Sequence, residues 1–333
     1  MKIAKEVISV AFDIGTADIK LVKLKLASGK AELLDFALEP SGADLPAALK
    51  KIAQTRAISK INSSVSGAAV IIRYVSFPRM DENELGQAMR FEAAKHIPFS
   101  IDDVNIDSYI LRNDLPDNKM LVLLVAVKKD FLNQRLTAIE AAGLRPNIID
   151  TDSVALVNIF NFNYSGESQE QMKGKTVAFV NIGASDTNLN IVENAVPRLS
   201  RDIHIAGNNF TQKIADVFSL DFKAAENLKL NPDKEKLASI CGAVETALAN
   251  LANEIRVSFD YYESQNASSV GKILLSGGGS NFTGLKDMLA NLLGIEVEAW
   301  DPLKNIDIAN TIDVGQLKLY SSRLAVGLGL ALR

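Results

Sequence analysis

The sequence predicts an α/β fold of two facing domains, with a smaller α/β unit set into the first. Three observations carry this. The chain has 333 residues, room for two or three domains of about 100–200 residues each. Each half opens on an apolar run, a glycine turn and a second run: Val7–Asp13 leads into Asp-Ile-Gly-Thr, and Thr176–Asn181 leads into Asn-Ile-Gly-Ala. A third glycine turn, Ser276-Gly277-Gly278-Gly279-Ser280, joins a short strand to a helical pattern.

Ile19–Leu26 alternates apolar residues with Lys, as a half-buried strand does, so Val7–Leu26 reads as a hairpin turning at Gly15. Laid over the first hairpin at an offset of 168 residues, Gly183 falls on Gly15, Asp186 on Asp18 and Asn181 on Asp13. Repetition of this kind suggests two related domains. Between the hairpins lies the small unit, Phe77–Asp150. Pro78 and Asp81-Glu82-Asn83-Glu84 predict a helix start with acids at its positive end. That helix is expected to run to about His96, before Pro98. Ile106–Leu111 and Met120–Val127 read as strands around a polar Asn113–Lys119 turn, and Asp130–Ala142 as a helix ending at Gly143. Tyr164–Lys175 reads as a polar loop or linker. In Lys234–Gln265, apolar residues recur every three or four positions from Leu237 to Tyr262, which predicts one long helix facing a core. Lys272–Leu275 is the strand before the third turn, and Phe282, Leu285, Met288, Leu289 and Leu292 mark the helix after it.

Composition removes several functions. Hydrophobic residues are 47% and charged residues 23%, the balance of a globular chain. Net charge is −4, which supplies no basic field for nucleic acid. One cysteine, Cys241, excludes a disulfide framework, fits a reducing compartment, and with His96 and His204 cannot build a Cys/His zinc site. No apolar run approaches the roughly 18 residues of a membrane span, so a cytoplasmic protein is expected. Gly174-Lys175-Thr176 has the tail of a phosphate loop, but Gln169 stands where its first glycine belongs. Phe282 occupies the last glycine of a dinucleotide fingerprint, and no Gly-x-Ser-x-Gly elbow exists. His96 and His204 read as packed or surface imidazoles.

Three glycine turns remain. A carboxylate at Asp13 can hold a hydrated Mg²⁺, and turn N–H groups can take phosphate oxygens. Lys20, returning along the second strand, can neutralise phosphate charge. Asn181–Ser185 could grip the same phosphates from the opposite side, and Gly277, Gly278 and Gly279 let a base or ribose lie against the backbone.

This arrangement resembles the actin and sugar-kinase superfamily, with two phosphate motifs and one adenosine motif. Gly207-Asn208-Asn209 resembles the Gly-Asp-Asn stretch of its bacterial actin-like branch. Ala224-Ala225-Glu226-Asn227-Leu228-Lys229 resembles that branch's helix beside the ribose and base, and Ala325–Leu330 the small-residue helix that crosses between domains. Phe91–Phe99, Ala141–Pro146 and Gly327–Arg333 narrow the resemblance to the PilM family of type IV pilus assembly proteins, related to FtsA. The resemblance implies an actin-like (ribonuclease H-like) ATPase fold. Domain I would be 1–175 with 78–150 inserted and a C-terminal helix at 316–333, and domain II 176–315.

It also implies ATP or ADP with Mg²⁺, the metal held by Asp13 through water. The nucleotide residues would be Asp13, Gly15, Thr16, Ala17, Lys20, Asn181, Gly183, Ala184, Ser185, Gly207, Asn208, Glu226, Lys229, Gly277, Gly278 and Gly279. The implied function is a cytoplasmic adaptor of an inner-membrane assembly platform, reaching the membrane only through partners. It would bind the cytoplasmic N-terminal tail of a PilN-like single-span protein in a groove between the inserted unit and domain I. Self-association is left open. An FtsA-like division protein is one alternative, although such chains end in a basic amphipathic anchor and this one stops at Leu332-Arg333; a small-molecule kinase is another. The sequence departs from the family where Asn181 replaces the second acid and Asn208 the acid of Gly-Asp-Asn. Without the charge at Asn181, binding with slow or absent hydrolysis is expected.

Overall fold

The computed structural model describes residues 6–165 and 174–333. In chain order the first part runs β1 (Val7–Ile14), β2 (Asp18–Ala27), β3 (Lys30–Pro40), α1 (Leu45–Gln54) and β4 (Lys60–Val65). The small unit follows: β5 (Val70–Pro78), α2 (Glu82–Ala93), β6 (Val104–Leu115), β7 (Lys119–Lys128) and α3 (Lys129–Ala141). Then come β8 (Arg145–Thr151) and α4 (Asp152–Asn163). The second half has β9 (Thr176–Ile182), β10 (Thr187–Glu193), β11 (Val196–Ile203), α5 (Gly207–Phe218), α6 (Phe222–Leu230) and α7 (Leu237–Gln265). It closes with β12 (Lys272–Ser276), α8 (Leu285–Leu293), β13 (Glu296–Ala299), β14 (Ile306–Ile308), α9 (Val314–Tyr320) and α10 (Ala325–Ala331).

Three sheets result: β14-β3-β2-β1-β4-β8, β11-β10-β9-β12-β13 and β5-β7-β6. Alternation gives the first sheet two apolar faces. Phe12, Ile14, Ile19 and Leu21 pack on α1 and α3, while Ala11, Val22, Leu24 and Leu33 pack on α4 and α10. The second sheet likewise turns Val180, Ile182, Leu189 and Ile191 toward α5, α7 and α8. Its other face carries Phe179 onto Phe160 of α4, with centroids 4.3 Å apart, and onto Trp300 at 5.4 Å. Helix α4 thus packs against both sheets.

The expected elements are present with shifted ends. Asp81 caps α2 by accepting from Asn83 N at 2.8 Å and Glu84 N at 2.9 Å, while the Glu84 carboxylate takes Asp81 N at 3.0 Å. This capping box fixes the start. The helix ends at Ala93, short of His96, and turns take the chain to Pro98. Helix α3 ends at Ala141, and Gly143, just past its cap, has a φ of +79° that suits glycine. Helix α7 buries Val244, Leu248, Leu251, Ile255, Phe259 and Tyr262 in the core of the second half, so its apolar face serves that core. It starts at Leu237, after turns at 234–236.

Other expectations need correction. Strand β6 extends to Leu115 and the polar turn shrinks to Pro116–Asn118, because β7 pairs with it along nearly its whole length. Strand β5 pairs with β7, so the small unit's sheet starts at Val70, ahead of the expected 78. Ile306–Ile308 lies within the 176–315 span expected of domain II yet pairs with β3 of the first sheet. The C-terminal helix is broken: a tight turn at Ser321–Arg323 separates α9 from α10. Tyr164, in the turn just after α4 as expected, sets its ring tilted against Phe160, with centroids 4.6 Å apart. Residues 166–173 of that expected loop, Gln169 among them, lie outside the described residues. Among the described residues no helix is long and apolar enough to cross a membrane.

Helix α10 is buried along its whole length. Its glycines permit this. A Cβ on Gly329 would run into the Ala155 carbonyl of α4, and one on Gly327 would lie 2.9 Å from Val22 Cγ2. Gly242, in α7, faces open space. Gly329→Ala is expected to lower stability by about 3 kcal/mol, because backbone must move. Gly242→Ala is expected to raise it by up to about 1 kcal/mol through helix propensity. Urea unfolding of both variants checks this pair.

Candidate functional site

The hairpin register builds the first turn. Asp13 pairs across from Lys20, which puts both side chains on one face of the sheet, and Lys20 Nζ lies 3.2 Å from Asp13 Oδ2. Gly15 N donates to Asp18 O at 3.1 Å and closes the turn. A Cβ on Gly15 would sit 2.6 Å from Lys20 Nζ, so glycine lets the ammonium lie across the turn. Asp13 is buried, and burial pushes its carboxyl above the ordinary range. Lys20 opposes that rise, and the charge of Asp152 adds to it. Thr16 and Ala17 are exposed at the tip.

The second turn repeats the first. Gly183 N donates to Asp186 O at 2.9 Å, the same bond as Gly15 to Asp18. The two turns face each other: Thr16 Oγ1 and Ser185 Oγ are 2.7 Å apart. Ser185 Oγ donates to Asp186 Oδ2 at 2.8 Å, which leaves Thr16 as the donor between the hydroxyls. His204, exposed, places Nδ1 at 2.5 Å from Asp186 Oδ1.

Helix α5 starts on the second turn. Gly207 N donates to Gly183 O at 3.1 Å, and Asn208 N to Ala184 O at 2.8 Å. Those N–H groups therefore serve the wall of the site. Lys229 is buried, and its ammonium donates to Gly207 O at 3.2 Å and Thr211 Oγ1 at 2.7 Å, with Glu226 Oε2 also at 2.7 Å. This cluster ties α6 to α5. The third turn closes the back. Gly277 has φ +88°, and a Cβ there would strike the Ile182 carbonyl. A Cβ on Gly279 would lie 3.1 Å from Gly183 O. Gly278 faces Arg323, 3.6 Å from its Nε to the place of a Cβ.

Asn181 has a structural task. Register aligns Ser276, Asn181, Asn188 and Asp202 in one row across four strands. Ser276 Oγ donates to Asn181 Oδ1 at 3.0 Å, Asn181 Nδ2 to Asn188 Oδ1 at 3.1 Å, and Asn188 Nδ2 to Asp202 Oδ1 at 2.6 Å. Gly67 N, in the link to β5, donates to Asp202 Oδ2 at 2.6 Å. Burial raises the Asp202 carboxyl, and the Asn188 and Gly67 donors hold it down.

The structure thus brings the three turns together, with Gly207, Asn208, Glu226 and Lys229 packed beside the second and third. Sequence reasoning missed Asp18 and Asp186 as members, although their overlay was the available signal. It also missed Arg135, whose Nη1 donates to Ile14 O at 3.1 Å, and Arg323, which pairs with Asp18. Both arginines come from distant helices or turns that carry no local motif.

The family model described as type IV pilus assembly protein PilM matches residues 11–333. Among solved structures, the chain is similar to one titled PilM-PilN type IV pilus biogenesis complex, at 27% identity and TM-score 0.85, covering 98% of each chain. It is also similar to ethanolamine utilization protein EutJ from Carboxydothermus hydrogenoformans, at 14% identity and TM-score 0.54, covering 99% of this chain and 92% of that one. That second likeness shows the fold alone. The fold is that of the actin-like ATPases.

Asn181→Asp is expected to cost about 1–3 kcal/mol of stability at neutral pH. A carboxylate cannot donate to Asn188 Oδ1, and flipping the Asn188 amide would abandon Asp202. Urea unfolding measures the loss, and an unchanged midpoint would mean that the row contributes nothing.

Proposed function

The chain belongs to the PilM family of type IV pilus assembly proteins, and from that we propose a nucleotide-dependent adaptor that holds the cytoplasmic tail of a PilN-like membrane protein at an inner-membrane assembly platform. The observation that carries the nucleotide half is the Thr16–Ser185 contact, which sets two identically closed turns face to face. The chemistry of the three turns suits an adenine nucleotide. Gly15, Gly277 and Gly279 let the three turns pack closely on Lys20 and Ile182, and Lys20, Thr16 and Ser185 offer donors to phosphate oxygens.

Among the described residues no cluster of three or more His, Cys, Asp or Glu could hold a metal. Mg²⁺ would then arrive with the phosphates, with Asp13 reaching it through water, as Mg²⁺ sites of this kind do. With Asn181 committed to the sheet, that position offers no carboxylate to orient a water. Slow or absent turnover follows.

The partner half rests on the PilM-PilN structure to which the chain is similar. Beside α3, two hollows share Asp130 at its start. One of about 420 Å³ is lined by Pro46, Asn133 and Thr137, and one of about 380 Å³ by Phe99, Lys128 and Lys129. An extended tail could lay alternate side chains into such pockets. A tail that orders on binding has modest affinity, which tethering at the membrane offsets.

Synthetic peptides of the cytoplasmic N-terminal segments of single-span proteins encoded beside this chain test the adaptor role by fluorescence anisotropy. One of them is expected to bind, and Thr137→Trp, which fills the larger hollow, is expected to weaken it by roughly tenfold or more. If no peptide binds, the adaptor reading fails. If Thr137→Trp leaves binding intact, the groove lies elsewhere.

A further inference from the structure

We propose that Arg323 is a phosphate-binding residue of the cleft, which exchanges its partner Asp18 for the phosphate chain of a bound nucleotide. The inference rests on the nucleotide reading above. Arg323 stands in the turn that breaks the C-terminal helix, between α9 and α10. That turn is fastened to the third glycine turn: Gly277 N donates to Ser322 O at 2.7 Å, and Ser322 Oγ to Asn281 Oδ1 at 2.9 Å. From there the side chain passes Gly278 and its guanidinium reaches the Asp18 carboxylate of the first turn. It therefore spans the route between the turn that would hold adenosine and the turns that would hold phosphates.

Charge points the same way. Asp13, Asp18 and Asp186 all lie at the two phosphate turns, and Lys20 is already paired with Asp13. Arg135, on Ile14 O, offsets part of this charge, and a polyphosphate at the mouth calls for a further cation. Arg323 supplies that charge; burial pulls its guanidinium below the ordinary range, and the charge of Asp13 opposes this. Asp18 engages one edge of a guanidinium that has further N–H donors, and a phosphate offers the matching bidentate acceptor. The residue is partly exposed, at 24%, and so is Asp18, at 21%, which leaves the pair free to part. The two hydrogen bonds from the Ser321–Arg323 turn to the third glycine turn keep the side chain aimed along the cleft when it does.

Calorimetric titration of Mg·ATP and of adenosine into wild type, Arg323→Gln and Asp18→Asn separates the roles. The expected result is that Arg323→Gln weakens ATP by roughly 10- to 100-fold and leaves adenosine within about twofold. Asp18→Asn, which releases the guanidinium, is expected to tighten ATP. Circular dichroism melting of each variant checks that the fold is kept. If Arg323→Gln binds ATP as tightly as wild type or more so, Arg323 is a plug and the inference fails. If it loses adenosine and ATP equally, Arg323 is a strut for the third turn and the inference also fails. A wild-type chain that binds no ATP overturns the nucleotide reading and this one with it.

Discussion

The contact between Gly329 of α10 and the Ala155 carbonyl of α4 is the constraint from which the cleft geometry follows. Any side chain at Gly329 would separate the two helices. Their close packing puts α10 against the first sheet while Phe160 of α4 reaches Phe179 of the second. One glycine therefore sets how far apart the sheets stand. Thr16 and Ser185 belong to different sheets, and their 2.7 Å approach depends on that spacing. The break before α10 belongs to the same arrangement. A continuous helix from α9 could not follow the buried path of α10 and also carry Ser322 to Gly277 N.

Hydrogen bonding then divides the cleft into fixed and free groups. The Asn181 amide, the Lys229 ammonium and the backbone N–H groups of Gly207 and Asn208 donate within the protein. Thr16 and Ser185 hold each other, and Arg323 holds the partly exposed Asp18, across the mouth. The first set makes a rigid wall. The second set is where a ligand can exchange partners without leaving a buried polar group unpaired, which is the costly outcome in a low-dielectric site. The raised carboxyls of Asp13 and Asp202 mark the same division, since both are buried and each relies on a few donors.

Much of this was legible in the sequence because it is local. The glycine turns, the Asp81 capping box and the period of α7 each depend on residues within a few positions of one another. The repeat of the hairpins anticipated that Gly15 and Gly183 close their turns by the same bond. What stayed hidden depends on distant partners. Ile306–Ile308 is too short to show a period and is a strand only because the edge of β3 is free to receive it. Val70–Pro78 is apolar enough for any sheet, and only its register with β7 assigns it. Asn181 was visible as a missing carboxylate. Its place in a four-strand polar row was not, because the row needs Asn188, Asp202 and Ser276 in register. Arg135 and Arg323 reach the first turn from far along the chain, where no spacing announces them.

Amide hydrogen exchange with and without Mg·ATP tests the cleft most directly. The account predicts that ATP slows exchange together at residues 14–18, 183–186 and 277–280, the turns built around Gly15, Gly183 and Gly277. Protection confined to one turn, or found only outside all three, would contradict a single nucleotide site shared between them.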